Sequence, residues 1–497
     1  MRRHHAVASV LALAVSAAVL LAGCSGSSTE RSGPDAIVRV GLVLEPTSLD
    51  IRTQSGAALD QVLIDNVYQG LVGRTATGKI RDVLASRHTV SADGLTYTFM
   101  LRKNVSFQNG DAVTATVVAE SLNDFKSHAD SYIDGDDFAS VKDIAGSGDE
   151  VVISMRQPDS DLLWNLTGRA GLVLDASEKN DRATSAVGTG PFRVSSWKQG
   201  DALALTRSET YWGPKAGVGG IVFRYIPDPS TAVNAMANGD LDVETAVDGT
   251  LRSQLENTSG IALRTGKTTD KYTLAFNDHA APFNDIRVRK AVRQAIDPKA
   301  VIKAVGGNGV EQGGPIPALD PGFEDLTSID PYDPSAARRL LADAGQPKLT
   351  LSLTYANVYP TAIGDVLKSE LAQVGITLNV RRVDFATWLD QVYKNKRFEM
   401  SMVNHTEARD FGNWANPKYY FGYDNAAVQQ LYAASLATTD QRTKDAKLAE
   451  AARMVSEDAA GEWLYTATTT TAIRSGVSGF PTNSTTTRLN LSGLSVK

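Results

Sequence analysis

The chain has 497 residues, a formal net charge of −6, and 42% hydrophobic and 21% charged residues, the balance of a soluble globular protein. No Lys/Arg block stands out beyond the N-terminal segment, which excludes the basic footprint of a nucleic-acid binder. Cys24 is the single cysteine, so no intramolecular disulfide forms and the fold must be held by its cores; the length suffices for two or three domains.

The N-terminus opens with the positive stretch Met1-Arg2-Arg3-His4-His5. An apolar run from Ala6 to Leu21 follows, broken by Ser9 and Ser16. A charged start, a short apolar core and small residues before a cut site describe an export signal. The run is shorter than the roughly 20 residues that cross a bilayer. Leu21-Ala22-Gly23-Cys24 resembles the bacterial lipoprotein box. That resemblance implies a signal peptide over 1–23, a lipidated Cys24 as mature N-terminus and a flexible tether over 24–35. The expected link to the membrane is the lipid alone.

Farther along, Asp93-Gly94 marks a turn before a strand in which Leu95, Tyr97, Phe99 and Leu101 alternate. Val118, Leu122 and Phe125 then fall at helical spacing. Residues 221–226 read as a strand. Asp228 caps a helix with Pro229 at its first position and a stop at Asn238-Gly239, and a short strand follows at 241–243. Val288, Ala291, Val292, Ala295 and Ile296 form one helical stripe, and Asp297-Pro298 and Asp333-Pro334 start two more helices. Leu349, Leu351, Leu353 and Tyr355 alternate as a strand. A helix carrying Ile363, Val366, Leu367, Leu371 and Val374 ends at Gly375, and 376–380 alternates again. Two strand–helix–strand units far apart in the chain predict α/β architecture in two lobes.

Catalytic and metal patterns are missing. His88, His128, His279 and His405 do not pair at a zinc-ligand spacing, and no G-x-S-x-G elbow occurs. Gly260 to Gly266-Lys267-Thr268 has one residue too many for a phosphate loop, and its apolar interior reads as strand. No carboxylate pair stands out as a catalytic couple. Binding, not catalysis, is the expected activity, with no cofactor and no metal.

Several segments carry a family resemblance. Asp93-Gly94-Leu95-Thr96-Tyr97-Thr98-Phe99 with Val105-Ser106-Phe107-Gln108-Asn109-Gly110 is similar to the signature of extracellular solute-binding proteins of the dipeptide/oligopeptide/nickel family. Gly188-Thr189-Gly190-Pro191-Phe192, Tyr211-Trp212-Gly213, Phe276-Asn277 with Pro282-Phe283-Asn284-Asp285-Ile286-Arg287-Val288-Arg289, and Tyr332-Asp333-Pro334 with Leu340-Leu341-Ala342-Asp343-Ala344-Gly345 resemble further family segments in order. The resemblance implies a two-lobe, periplasmic-binding-protein-like α/β fold (type II, the large cluster with an extra subdomain) around a hinged cleft. Lobe 1 would span about 36–270 with an inserted subdomain at about 51–185, lobe 2 about 271–465, and 466–497 would return to lobe 1. The hinge would lie near Phe276-Asn277 and the 465–475 return.

The family further implies capture of di- or oligopeptides outside the membrane and delivery, as a monomer, to ABC permease subunits with cytoplasmic ATPases. A nickel complex, haem or another small solute remains an alternative ligand, and a surface hydrolase lacks any nucleophile–base motif. By resemblance, Glu45 matches an acidic position facing the cleft. The Asn404–Trp414 loop in peptide-binding relatives carries an aspartate four residues before a proline; here Asn413 stands before Pro417, so Asp410 or Glu407 would take the amine. The expected ligand set is Glu45, His405, Glu407, Arg409, Asp410, Asn413 and Trp414. Trp388, Tyr419 and Tyr420 read either as pocket walls or as core.

Overall fold

A computed structural model of the chain describes residues 32–54, 56–176 and 181–497; the expected signal segment and Cys24 lie outside the described residues. Local signals place the elements well. Thr361–Gln373 buries Ile363, Leu367 and Leu371 on one face, and Gly375 follows it in the left-handed conformation (φ +93°) that glycine adopts without cost. The flanking strands Leu349–Ala356 and Ile376–Val383 pair in parallel, Leu349 opposite Ile376. The Asp228 side chain accepts the N–H of Thr231 and caps Pro229–Asn238. The strand after that helix is Val243–Glu244. It does not pair with Gly220–Tyr225: the N-terminal strand Ile37–Leu42 lies between them, parallel to both.

These strands belong to one 11-stranded sheet. From edge to edge it runs Ile376–Val383, Leu349–Ala356, Met400–His405, Ile261–Phe276, Gly461–Arg474, Val243–Glu244, Ile37–Leu42, Gly220–Tyr225, Ala202–Arg207 and Phe192–Lys198, with Gly309–Val310 attached to the 461–474 strand. A separate four-stranded antiparallel sheet is inserted between 85 and 155, under the helix Ala115–Ser127. Here Tyr97, Phe99, Phe107, Val118, Leu122 and Phe125 share a core of their own. The 93–110 signature is therefore packing. Among the described residues no helix is long and apolar enough to cross a membrane.

Two long strands join the halves of the sheet. Residues 261–267 pair with 468–474, whose Ala472 and Ile473 pair with 243–244 in the N-terminal half; residues 271–276 pair with 400–405 in the other half. The register breaks between Lys267 and Lys271, so the crossing lies there. The sequence places the hinge near Phe276-Asn277 and the 465–475 return; the break lies opposite Thr466–Thr468 of that return, a few residues before Phe276. That pair is locked: Phe276 stacks on Phe283 at 4.7 Å, and Asn277 donates to the carbonyls of Lys396 and Phe398. Gly266 sits where the C-terminal return passes, and a Cβ there would lie 1.7 Å from the Thr482 carbonyl oxygen. Close approach of backbone, not a phosphate, accounts for this glycine.

Candidate functional site

A cavity of about 650 Å³ opens beside the crossing and adjoins a second of about 410 Å³; Arg74, Trp164, Thr269, Ala408 and Arg488 line both. Thr269 belongs to the crossing itself, so the joint cavity lies between the two halves. Its walls come from short, irregular pieces. The three-residue strand Val72–Arg74 ends on Arg74. The 3₁₀ turn Gly135–Phe138 is entered through Asp134 in the left-handed conformation (φ 61°) and carries Asp137. The one-turn helix Leu162–Asn165 presents Trp164, and the preceding loop supplies Asp159 and Asp161.

Opposite them stands the 404–414 loop. Arg409 is also left-handed (φ 60°), and its backbone N–H donates to Asp320 Oδ2 at 2.7 Å. Its guanidinium lies 4.0 Å from the Trp164 ring and 3.4 Å from Asp161 Oδ1. Lys444 reaches the same carboxylate at 2.6 Å, and Ser160 N–H donates to the Leu436 carbonyl. The inserted subdomain and the C-terminal half thus meet across the cleft, and Arg409 is part of that contact.

The cavity holds charges of both signs. Arg169 pairs with Asp60 at 2.9 Å and Arg488 with Asp65 at 2.7 Å. Arg74 lies 4.2 Å from the Trp164 ring, and among the described residues no carboxylate stands within ion-pair distance of it. Burial, and then Arg488, pull its pKa down to about 9. Asp137 is the mirror case: burial, followed by Asp134, Asp159, Asp136 and Asp161, pushes its carboxyl up to about 7. Asp134 and Asp159 are raised by burial as well.

Of the residues singled out from the sequence, Glu407 and Arg409 line the larger cavity. Asp410 lines a small neighbouring void, but its carboxylate is taken: Lys271 Nζ lies 3.1 Å from Oδ1 and also donates to the Glu407 and Thr269 carbonyls. His405 is buried with Nε2 3.3 Å from the Tyr420 hydroxyl, and burial lowers its pKa to about 4, so the ring is neutral. The facing atoms of His405, Glu407 and Asp410 lie within 4.8 Å of one another, a spacing fit for a metal. The Lys271 ammonium already supplies a cation there, so the trio does not suit a divalent ion. Asn413 sits half-buried on the 3₁₀ turn Asp410–Asn413.

Trp414 and Glu45 are placed elsewhere. Trp414 is 5% exposed, stacks on Phe421 at 4.0 Å and belongs to an aromatic core with Trp388, Tyr420 and Trp463. Glu45 accepts from Trp197 Nε1 at 3.0 Å and from the Gly200 N–H, which fixes it to the 192–207 hairpin. Arg74, Asp137, Asp161, Trp164 and Arg488 have no local sequence signal and come together only in the fold.

Comparisons with known proteins agree with this arrangement. The family model of bacterial extracellular solute-binding proteins, family 5 Middle, matches residues 79–427. The chain is 28% identical over 471 residues to the glutathione-binding protein GsiB of Pectobacterium atrosepticum, covering 87% of this chain and 88% of that one. Among solved structures it resembles HbpA2 from Haemophilus parasuis (TM-score 0.83, 19% identity, 93% of this chain and 100% of that one). It also resembles the oligopeptide-binding protein AppA from Bacillus subtilis in complex with a nonapeptide (TM-score 0.75, 18% identity, 94% and 100%). Two halves joined by crossing strands, a cleft between them and a family match over most of the chain lead to one assignment: the chain belongs to the bacterial extracellular solute-binding proteins of family 5, with the two-lobe type II fold.

Proposed function

We propose that this substrate-binding component of an ABC importer captures short peptides in the cleft beside Trp164 and hands them on unchanged, without catalysis. The observation that carries the reading is one cavity, of the size of small-molecule sites, that holds both a cation and carboxylates lacking ion-pair partners among the described residues. A zwitterion answers both. The GsiB relative binds glutathione by name, itself a small peptide with an amine and carboxylates, and AppA holds a nonapeptide. A nickel chelate has less support, because Lys271 occupies the histidine–carboxylate trio.

The test is a melting-temperature screen of free-acid di- to pentapeptides, glutathione, a nickel–histidine chelate and haem. A peptide at 100 times its Kd should add about 2.7 kcal/mol of stability. Response to the chelate or haem alone, with every peptide inert, would sink the peptide reading.

On the same reading the protein works as a monomer outside the cell membrane, tethered by lipid on Cys24, and docks on the permease subunits. Cys24→Ala should then move it from the membrane fraction to the soluble fraction, since a lipid anchor is the only attachment proposed. Detergent-requiring retention of the variant would refute the tether.

A further inference from the structure

The arginines around the cleft are neutralised one by one, with a single exception. Arg488 holds Asp65 at 2.7 Å and the Thr167 carbonyl, Arg81 approaches Asp65 at 4.0 Å, Arg169 holds Asp60, and Arg409 holds Asp161. The Arg74 side chain has neither a hydrogen bond nor an ion pair with any described residue. It nonetheless faces both parts of the cavity. It shares the Trp164 indole with Arg409, the two guanidinium groups lying 4.2 and 4.0 Å from the ring. Arg488 and Arg409 disfavour its charge, while Asp65 and Asp60, each already held by another arginine, favour it from farther off. This largely buried cation has no described carboxylate within ion-pair distance of its own, and the cavity in front of it has room for one.

We infer that Arg74 is the anchor for a carboxylate of the bound peptide, so that the cleft selects ligands with a free acid group. The inference rests on the peptide reading above and names the residue that reads one end of the ligand. A planar guanidinium matches a carboxylate in two parallel hydrogen bonds, and the indole beneath it fixes the plane of the fork. An anion placed there also relieves the repulsion among Arg74, Arg409 and Arg488. Arg74 ends a strand of the N-terminal half, and Arg409 reaches the same indole from the other half. The carboxylate comes from the C-terminus of the peptide or from an acidic side chain, and the two sources are separable.

The experiment takes the tightest binder of the free-acid peptide panel and measures Kd by calorimetry for the acid, its C-terminal amide, and its Glu→Gln or Asp→Asn analogue. Wild type and Arg74→Gln are compared. Neutralising the carboxylate that Arg74 reads should weaken wild-type binding about 30-fold or more. Amide sensitivity assigns the C-terminus, and analogue sensitivity a side chain; either supports the inference. Arg74→Gln should bind all three forms alike while its unliganded melting temperature stays close to that of wild type, since the side chain has only its contact with the Trp164 ring to lose. Equal wild-type affinity for all three forms would overturn the inference and leave peptide capture standing. An unchanged preference for the acid in Arg74→Gln would overturn it too. Wild type that binds no peptide in any form removes the peptide reading and this inference together.

Discussion

Lys271→Met should destabilise the unliganded protein by about 3–5 kcal/mol, the cost of leaving a buried charge without its partner. The Lys271 side chain is 3% exposed and lies 3.1 Å from Asp410 Oδ1. Burial already raises the Asp410 pKa, and Lys271 is the group that pulls it back down. Lys271 also donates to the carbonyls of Thr269 and Glu407, so one ammonium ties the strand crossing to the 404–414 loop. Without it that loop loses its inner support, and Arg409, next to Asp410, loses its fixed approach to Trp164. Binding should therefore weaken along with stability. Denaturant unfolding gives the first quantity and calorimetry the second. Lys271→Met/Asp410→Leu should recover much of the stability, because an apolar pair leaves no orphaned charge. A loss below about 1 kcal/mol in the single variant would contradict the role given to this pair.

Asp137→Asn should change how stability depends on pH. Burial and four neighbouring carboxylates raise the Asp137 pKa from 3.8 to about 7. The folded state then holds this proton more tightly than the unfolded chain does. The contribution is fully present below pH 3.8 and is lost as pH rises through about 7. Its size is on the order of 4 kcal/mol, from the span of the shift. The asparagine variant should lose that part of the slope and melt higher than wild type at neutral pH. It should also bind a cationic peptide group less well, since the strained carboxylate is part of what attracts it. Melting curves across this range for both proteins give the comparison. Parallel curves would mean that Asp137 is not held as the cleft geometry implies.

Much of the scaffold was legible because its signals are local. The caps at Asp228, Asp297 and Asp333 each use the side chain of the residue just before a proline, and each accepts an N–H two or three residues on. The alternation of Tyr97, Phe99 and Leu101 appears directly as every second side chain buried. The cleft was less legible. Glu407 and Arg409 were found through a loop that resembles the family's. Arg74, Asp137 and Asp161 sit on a three-residue strand, a 3₁₀ turn and a loop, and nothing in their neighbourhoods marks them. Asp410 looked free from the sequence because its partner, Lys271, stands more than a hundred positions away. Trp414 looked like a pocket wall because an aromatic near acidic residues reads the same way in a core and in a site.

The order of strands in the large sheet bears on how the chain reaches its final form. In the N-terminal half, Val243–Glu244 finds its second neighbour only in Gly461–Arg474, near the end of the chain. Asp65 and Asn66 likewise receive Arg488 and the Leu489–Leu491 backbone from the last stretch. A chain synthesised N-terminus first cannot close that half until almost all of it has been made. The first half synthesised is the last to be finished. The cleft wall at Arg488 is therefore completed only once the whole molecule is available.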